Sequence, residues 1–338
     1  MTDYSDQLIS IVMPVFNEEA LIMKTIRTVQ GFVSQQPENY EIIFVDDGSN
    51  DSTTDKIRKA IAFHPEMRLV RFSRNFGHQL AITAGIRYAT GKAVVVMDAD
   101  LQDPPAVIAD MVTAWHRGAD VVYGKRKQRD GESWFKKISA KAFYRLLHSI
   151  TNINIPVDTG DFRLMDRKVV TVLERMNEDE PFVRGMVSWV GFKQTAVEYE
   201  RQPRTQGESK YPLHKMVRLA MDGITSFSNL PLKFANWAGS ILCLSAIVTM
   251  IVAIWTGFTG TMLLLIVDLL IGGFLLLSIG ILGQYLGRVF NQSRERPLYV
   301  VAETMGFPSG VNQHHIARTV SVDSVNKVNK VQKVRNQS

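Results

Sequence analysis

The sequence predicts an α/β protein with a mainly parallel, doubly wound sheet, followed by a two-helix hairpin that spans a membrane. Apolar runs of about five residues, typical of buried parallel strands, recur along residues 8–123 and alternate with helical patterns. Residues 234–267 and 269–287 contain no Asp, Glu, Lys or Arg, which is the composition of membrane spans.

Five strands and the helices between them follow from these runs. The predicted strands are Ile9–Val15, Glu41–Asp46, Arg68–Phe72, Ala93–Asp98 and Asp120–Gly124. The predicted helices are Asn17–Gln30, with Glu18 and Glu19 in its first turn, Thr54–Ala62, and His78–Thr90. Ligands of open α/β sheets bind at the carboxyl ends of the strands, so residues just after each strand are candidates for a site.

Composition narrows the class of partner. Lys and Arg exceed Asp and Glu by 39 to 33, a formal charge of +6. Next to membrane spans, this surplus favours lipid or phosphate-bearing partners over nucleic acid. Cys243 is the only cysteine, which excludes an intrachain disulfide and a cysteine-rich metal site.

The membrane part is predicted from its flanking charges. Spans over Phe234–Trp255 and Thr261–Gly287 have Lys and Arg at their outer ends and none in the connecting turn, which places both chain ends in the cytoplasm. The expected organisation is a cytoplasmic domain, an amphipathic juxtamembrane segment, the two spans and a basic tail, over residues 1–203, 204–233, 234–287 and 288–338. An ordinary core-packing helix is the alternative for the amphipathic segment.

Two carboxylates follow the fourth strand. Asp98 and Asp100 flank Ala99, and Gln102 adds a neutral oxygen. Two such carboxylates repel each other unless a hard cation such as Mg²⁺ or Mn²⁺ lies between them and a diphosphate. The alternative is that both acids cap the helix that Pro104 begins.

Two more acids follow the second strand at the same edge. Asp46 or Asp47 is a candidate acceptor for a ribose hydroxyl or a base N–H, and one of the two is open to a role as a turn cap alone. The segment after the first strand is the candidate lining of a nucleoside pocket, through Pro14, Phe16, Asn17 and Glu18.

These three signatures resemble those of family 2 glycosyltransferases with the Rossmann-like GT-A fold, over about residues 8 to 305. Residues 158–165 and 204–211, followed by two spans, resemble the polyisoprenyl-phosphate glycosyltransferases, and the bactoprenol glucosyltransferase type in particular. The resemblance implies inverting transfer of a hexose, with UDP-glucose as donor, to undecaprenyl phosphate.

The resemblance also implies a divalent cation, a homo-oligomer, no nucleic acid, and a place in the bacterial inner membrane, where the product serves cell-surface polysaccharide such as O-antigen. Alternatives are another sugar on the same lipid (GlcNAc, mannose or an aminoarabinose derivative), or a noncatalytic membrane scaffold. The intact Asp98-Ala99-Asp100 sequence argues against the scaffold.

The resemblance assigns further residues to the reaction. Asp161, with Asp158 second, is the candidate acid that orients sugar or acceptor, and Asp100 acts through the metal. The alternative is a structural loop in which Asp161 pairs with Arg163. Candidates for the acceptor phosphate are Arg126, Lys137, Ser139, Arg204 and Lys210; for any one cation the alternative is a solvated face or a lipid contact.

Two further residues are left without a catalytic role. His78 begins a predicted helix, where it either caps the helix or helps to bind an anion. Asp268 interrupts the second predicted span.

Overall fold

The computed structural model describes residues 7–127, 159–176, 178, 181–202, 260–294, 296–307 and 319–321. These residues belong to two compact units. One unit holds the sheet and six helices among its described residues, and the other is described over residues 260–294.

The described strands and helices alternate along most of the chain. The strands are β1 (Leu8–Val15), β2 (Asn39–Asp46), β3 (Met67–Phe72), β4 (Ala93–Val96), β5 (Val121–Arg126), β6 (Thr159–Asp166), β7 (Gln194–Tyr199), β8 (Tyr299–Met305) and β9 (Thr319–Ser321). The helices are α1 (Ile22–Val33), α2 (Thr53–Ile61), α3 (His78–Tyr88), α4 (Val107–His116), α5 (Arg167–Arg175), α6 (Val183–Trp189) and α7 (Thr261–Ser293).

One sheet contains every described strand, in the order β7-β5-β6-β4-β1-β2-β3-β8-β9. Neighbours are parallel from β4 through β1 and β2 to β3, whereas β6 runs antiparallel between β4 and β5. The predicted α/β fold with a mostly parallel sheet is confirmed. Because β6 reverses direction, its first residues lie at the same edge as the last residues of β4 and β5.

The core lies on both faces of the central strands. Residues 9–15 of β1 are all buried, as expected for a strand covered by helices on both sides. Helix α1 buries Ile22, Ile26 and Val29, which lie on one face of the helix. Helix α3 approaches closely at Gly85, where a Cβ would lie 2.1 Å from Val12 Cγ1.

The start of α1 differs from the sequence prediction. The helix begins at Ile22 rather than Asn17, so the placement of Glu18 and Glu19 in its first turn is wrong. Their backbone N–H groups instead donate to Thr53 Oγ1 and Asp51 Oδ2 in the segment after β2. Side chains distant in sequence therefore satisfy donors that a longer helix would leave free.

The C-terminal part adds helix α7 and strands β8 and β9. Strand β8 lies within the predicted tail and pairs antiparallel with β3. Helix α7 covers the second predicted span and leaves Asp268 exposed. Among the residues that the structure describes, no helix is long and apolar enough to cross a membrane. Residues 204–233 and the first predicted span, 234–255, lie outside the described residues.

Candidate active site

The acids after β2 are both bonded within the protein. Buried Asp46 accepts hydrogen bonds from the Ser49 backbone N–H at 2.8 Å and from the Thr54 hydroxyl. Asp47 accepts from the backbone N–H groups of Phe76 at 2.6 Å and Gly77 at 2.9 Å. Both carboxylates thus shape the loops at this edge, and contact with a nucleoside stays a prediction.

Burial has the largest effect on the pKa of Asp47. It raises the pKa of this carboxyl, and the charge of Asp46 adds to the rise, while the hydrogen bonds from Phe76 and Gly77 and the charge of His78 oppose it. Through the hydrogen bonds from Phe76 and Gly77, Asp47 also ties the loop after β2 to the residues that lead into α3.

The segment after β1 is fastened to the same loop. Asn17 has a φ of 53°, its backbone N–H donates to Ser49 Oγ at 2.9 Å, and its Oδ1 accepts from the Asn50 N–H at 2.9 Å. Pro14 is buried, whereas the Phe16 side chain next to this clamp is 40% exposed. The ring is a flat apolar surface on a fixed loop, and its contact with a nucleobase stays a prediction.

Asp98 carries the clearest unsatisfied group at this edge. Its side chain is 33% exposed, yet its Oδ1 is buried and accepts no hydrogen bond in the described part of the chain. Burial is the main cause that raises its pKa to about 6; the charges of Asp161, Asp100 and Asp103 add to the rise, and His78 opposes it.

A tight turn presents the second carboxylate. Asp100 Oδ1 accepts from the Gln102 backbone N–H at 3.0 Å, and the Ala99 carbonyl accepts from Thr25 Oγ1 at 2.7 Å. Leu101 between them has a φ of 56°, a conformation that costs an L-residue about 1 kcal/mol or more. Such outliers cluster at functional sites.

Asp98 and Asp100 fit a divalent cation whose remaining ligands come from substrate phosphates. Within the described ranges, no group of three or more His, Cys, Asp or Glu side chains is arranged to hold a metal ion. Asp98 offers a buried oxygen with no hydrogen-bond donor, and Asp98 and Asp100 repel each other. One or two carboxylates plus substrate phosphates is the usual arrangement for Mg²⁺. Gln102 stands beside them as a neutral candidate.

Asp161 is held by a cluster of donors in which the described part of the chain shows no hydrogen bond from Arg163. Its side chain is only 5% exposed. Arg184 donates to it through Nε at 2.8 Å and Nη2 at 3.1 Å, and Gln79 Nε2 donates at 3.1 Å. Arg163 instead donates to the Gly160 carbonyl at 3.0 Å.

The same cluster keeps Asp161 ionised. Burial opposes ionisation, but the charge and hydrogen bonds of Arg184, the His78 contact and the Arg163 charge hold the pKa of Asp161 well below its usual range. A carboxylate whose oxygens accept three hydrogen bonds and whose pKa is this low is a weak base. The structure therefore favours an orienting role for Asp161 over proton transfer.

His78 joins the two acidic groups. Its Nε2 lies 3.5 Å from Asp98 Oδ1 and 3.6 Å from Asp161 Oδ2. Burial lowers the pKa of His78, but the contact with Asp161 and the charges of both carboxylates outweigh it, so the net pKa is raised. The first residue of α3 is thus part of the site, and no side-chain cap hydrogen bond accompanies this helix start.

Of the residues that the resemblance assigns to the sugar acceptor, the structure describes Arg126 as well as Asp161. Arg126 is the last residue of β5, its Nε is buried without a hydrogen-bond acceptor in the described part of the chain, and its Nη2 lies 3.1 Å from where a Cβ of Gly160 would be. The other candidates, Asp158, Lys137, Ser139, Arg204 and Lys210, lie outside the described residues.

Sequence reasoning missed three residues of this site: Gln79 and Arg184, which donate to Asp161, and Asp103, whose charge adds to the raised pKa of Asp98. Asp103 directly follows the acidic turn, so its position was a usable signal. Arg184 and Gln79 stand in helices far from Asp161 along the chain, and no local pattern marks them.

Comparisons with known proteins agree with this architecture. Residues 10–173 match the family described as glycosyl transferase family 2. The chain is similar to the uncharacterized glycosyltransferase YkcC of Bacillus subtilis (strain 168), with 50% identity over 303 residues that cover 88% of this chain and 94% of that protein.

Two other known proteins match this chain at lower sequence identity. The prophage bactoprenol glucosyl transferase homolog of Escherichia coli (strain K12) is 38% identical over 302 residues, 87% of this chain and 98% of that protein. Among solved structures, glucosyl-3-phosphoglycerate synthase from Mycobacterium tuberculosis in complex with UDP is 18% identical, with a TM-score of 0.48 over 65% of this chain and 79% of that chain. On its family match and its extended identity to these curated relatives, the chain belongs to glycosyl transferase family 2 and is a glycosyltransferase.

Proposed function

We propose that this glycosyltransferase moves a hexose, glucose from UDP-glucose foremost, onto undecaprenyl phosphate. One observation carries the proposal: the carboxyl ends of β4 and β5 lie at one edge of the sheet and present opposite charges. Asp98 Oδ1 there lacks a hydrogen-bond donor, and Arg126 Nε lacks an acceptor among the described residues. A metal-bound diphosphate suits the first group, and a second phosphate suits the other.

The similarities support the lipid acceptor and the sugar. Several relatives at 37–38% identity over most of the chain are named bactoprenol glucosyl transferase. The uncharged runs 234–267 and 269–287 support attachment to the bacterial inner membrane, with the catalytic unit in the cytoplasm. We further propose a homo-oligomer whose product supplies cell-surface polysaccharide.

The chemistry needs orientation and charge balance. An acceptor phosphate oxygen, already anionic near neutral pH, attacks the anomeric carbon while that carbon's bond to the UDP oxygen breaks, which inverts its configuration. Asp98 and Asp100, with Gln102, would hold Mg²⁺ or Mn²⁺, which supplies positive charge for the diphosphate. Arg126 binds the acceptor phosphate, and Asp161, fixed by Arg184, orients the sugar.

The test is a transfer assay with the purified full chain in detergent. Labelled UDP-glucose and undecaprenyl phosphate with Mg²⁺ should give labelled lipid, and EDTA should abolish the product. Undecaprenol, which lacks the phosphate, should not be glucosylated. Asp100→Ala should lower the rate by about a hundredfold or more, since it removes an electrostatic contribution to the transition state. Asp110→Ala, at an exposed position of α4, is the matched control.

Each outcome decides one part of the proposal. No labelled lipid with any common nucleotide sugar would overturn the lipid acceptor. Transfer from UDP-GlcNAc, GDP-mannose or an aminoarabinose donor, but not from UDP-glucose, would keep the acceptor and replace the sugar. Full activity of Asp100→Ala would overturn the metal assignment.

A further inference from the structure

A buried tyrosine lies between the acidic turn and the acceptor cation. The Tyr199 hydroxyl donates a 2.5 Å hydrogen bond to Asp103 Oδ1, and Asp103 is the residue after Gln102. Arg201 Nε lies 3.3 Å from the same Asp103 oxygen, and the Gln202 backbone N–H donates to the Gln102 carbonyl at 2.9 Å. The end of β7 therefore contacts the acidic turn through two hydrogen bonds and one ion pair.

The tyrosine ring is held firmly in place. Tyr199 is 5% exposed, and its ring meets the Phe162 ring edge to face at a centroid distance of 5.7 Å. Gly124 leaves the space that the ring fills, because a Cβ there would lie 2.8 Å from Tyr199 Cε1. The hydroxyl position is thus fixed by packing on both sides.

Arg126 lies beside this tyrosine. The two residues are partners in the parallel β5–β7 ladder. Burial and the Asp103 carboxylate raise the pKa of Tyr199, while Arg126 opposes that rise. On its other side, Arg126 Nη2 occupies the space that Gly160 leaves open.

This arrangement leaves the Arg126 Nε available to a ligand. The guanidinium lies beside Tyr199 and in the space that Gly160 leaves open, and its Nε is buried with no acceptor in the described part of the chain. A guanidinium fixed in this way loses less side-chain entropy when it binds a phosphate.

We propose that Tyr199 and Asp103 are positioning residues that hold Arg126 for the acceptor phosphate and tie its place to the metal-binding turn. The proposal rests on the proposed function, because it takes the lipid phosphate as the ligand of Arg126. It adds a physical link between the two proposed substrate sites. Asp103 belongs to the segment that follows the metal-binding turn, and its hydrogen bond to Tyr199 connects this turn to the neighbour of Arg126.

The test is Tyr199→Phe, which keeps the ring and removes only the hydroxyl. In the transfer assay, the apparent KM for undecaprenyl phosphate should rise about tenfold, the usual effect of losing a hydrogen bond to a charged group. The KM for the nucleotide sugar should change less than about twofold, because Asp98 and Asp100 remain. Tyr88→Phe, at a buried tyrosine of α3, is the matched control and should leave both constants unchanged.

Two further variants separate positioning from folding. Asp103→Asn keeps an acceptor for the Tyr199 hydroxyl and should recover most of the lipid affinity that Asp103→Ala loses. Gly160→Ala places a Cβ against Arg126 and should raise the lipid KM while the Tyr199–Asp103 hydrogen bond remains. Circular dichroism and melting temperature of each variant would identify any that fails to fold.

The outcomes distinguish the two proposals. Wild-type transfer to undecaprenyl phosphate with an unchanged lipid KM in folded Tyr199→Phe and Gly160→Ala would overturn the positioning role alone. Equal losses for the lipid and the nucleotide sugar would also overturn it, since that is the pattern of a general structural defect. Failure of the wild type to glycosylate the lipid would overturn the proposed function and this inference with it.

Discussion

Replacing Arg184 by methionine should destabilise the protein by leaving Asp161 with too few partners. Methionine keeps the apolar stem but removes the two donors that contact Asp161 at 2.8 and 3.1 Å. Removing one partner of a buried ion pair costs about 3–5 kcal/mol. Because the Arg184 side chain is 28% exposed and Gln79 still donates, we expect a loss of about 2–3 kcal/mol in the free energy of unfolding at pH 7.

The loss should depend on pH with a definite sign. The depressed pKa of Asp161 contributes stability that is present above the unfolded-state pKa of about 3.9 and is lost as pH falls through the folded-state value. Without Arg184, burial raises the Asp161 pKa while His78 and Arg163 still lower it. The variant then takes up a proton at a higher pH, so its deficit relative to wild type should shrink below about pH 4.

The assay is equilibrium urea unfolding of the detergent-purified chain, followed by tryptophan fluorescence at pH 7 and at about pH 3. Arg175→Met, at an exposed position of α5, is the matched control and should stay within about 0.5 kcal/mol of wild type. Adding Asp161→Asn to Arg184→Met should restore about 1 kcal/mol or more, because the buried charge is gone. A deficit below 0.5 kcal/mol at pH 7, or no recovery in the double variant, would refute the reasoning.

Three other substitutions test separate parts of the chain. Gly48→Ala should lower stability by about 2 kcal/mol or more, because φ is +74° and a Cβ would lie 2.5 Å from the Arg74 carbonyl carbon; a melting temperature equal to wild type would contradict this. Thr54→Val removes a hydroxyl donor from buried Asp46 and should cost about 1–3 kcal/mol in urea unfolding, so a neutral result would show that water replaces the hydroxyl. Asp268→Asn, at an exposed position of α7, should leave transfer kinetics unchanged in detergent, and a collapse of turnover in folded protein would give Asp268 a role in the reaction.

Local patterns were enough to predict the central strands, but not the places where distant segments meet. The runs that end at Val15 and Asp46 are buried strands, and they were predictable because a short continuous apolar stretch is visible in the local sequence. The predicted start of α1 was wrong because Ser49 and Thr53, more than 30 positions away, accept hydrogen bonds from the N–H groups of Asn17 and Glu18. Tertiary contacts of this kind leave no mark in a short window of sequence.

The candidate site divides in the same way. The sequence predicted the carboxylates of Asp98 and Asp100 and their position at the edge of the sheet. It did not predict that His78 lies between Asp98 and Asp161, because antiparallel insertion of β6 brings those two acids together across 63 positions of the chain. The structural alternative for Asp161 was a pair with Arg163, whereas the two hydrogen bonds from an arginine come from Arg184 in α6.

The bonding of the acids at this edge bears on the kind of acceptor that the site suits. Asp47, Asp103 and Asp161 all accept hydrogen bonds from the protein, and Asp98 and Asp100 form the candidate metal turn. A hydroxyl acceptor needs a base with a free lone pair to take its proton, whereas a phosphate is already ionised near neutral pH and needs a cation instead. In the proposed reaction, Arg126 supplies that cation at the same edge of the sheet. We therefore propose a phosphate rather than an alcohol as the acceptor, and the comparison of undecaprenyl phosphate with undecaprenol tests this choice directly.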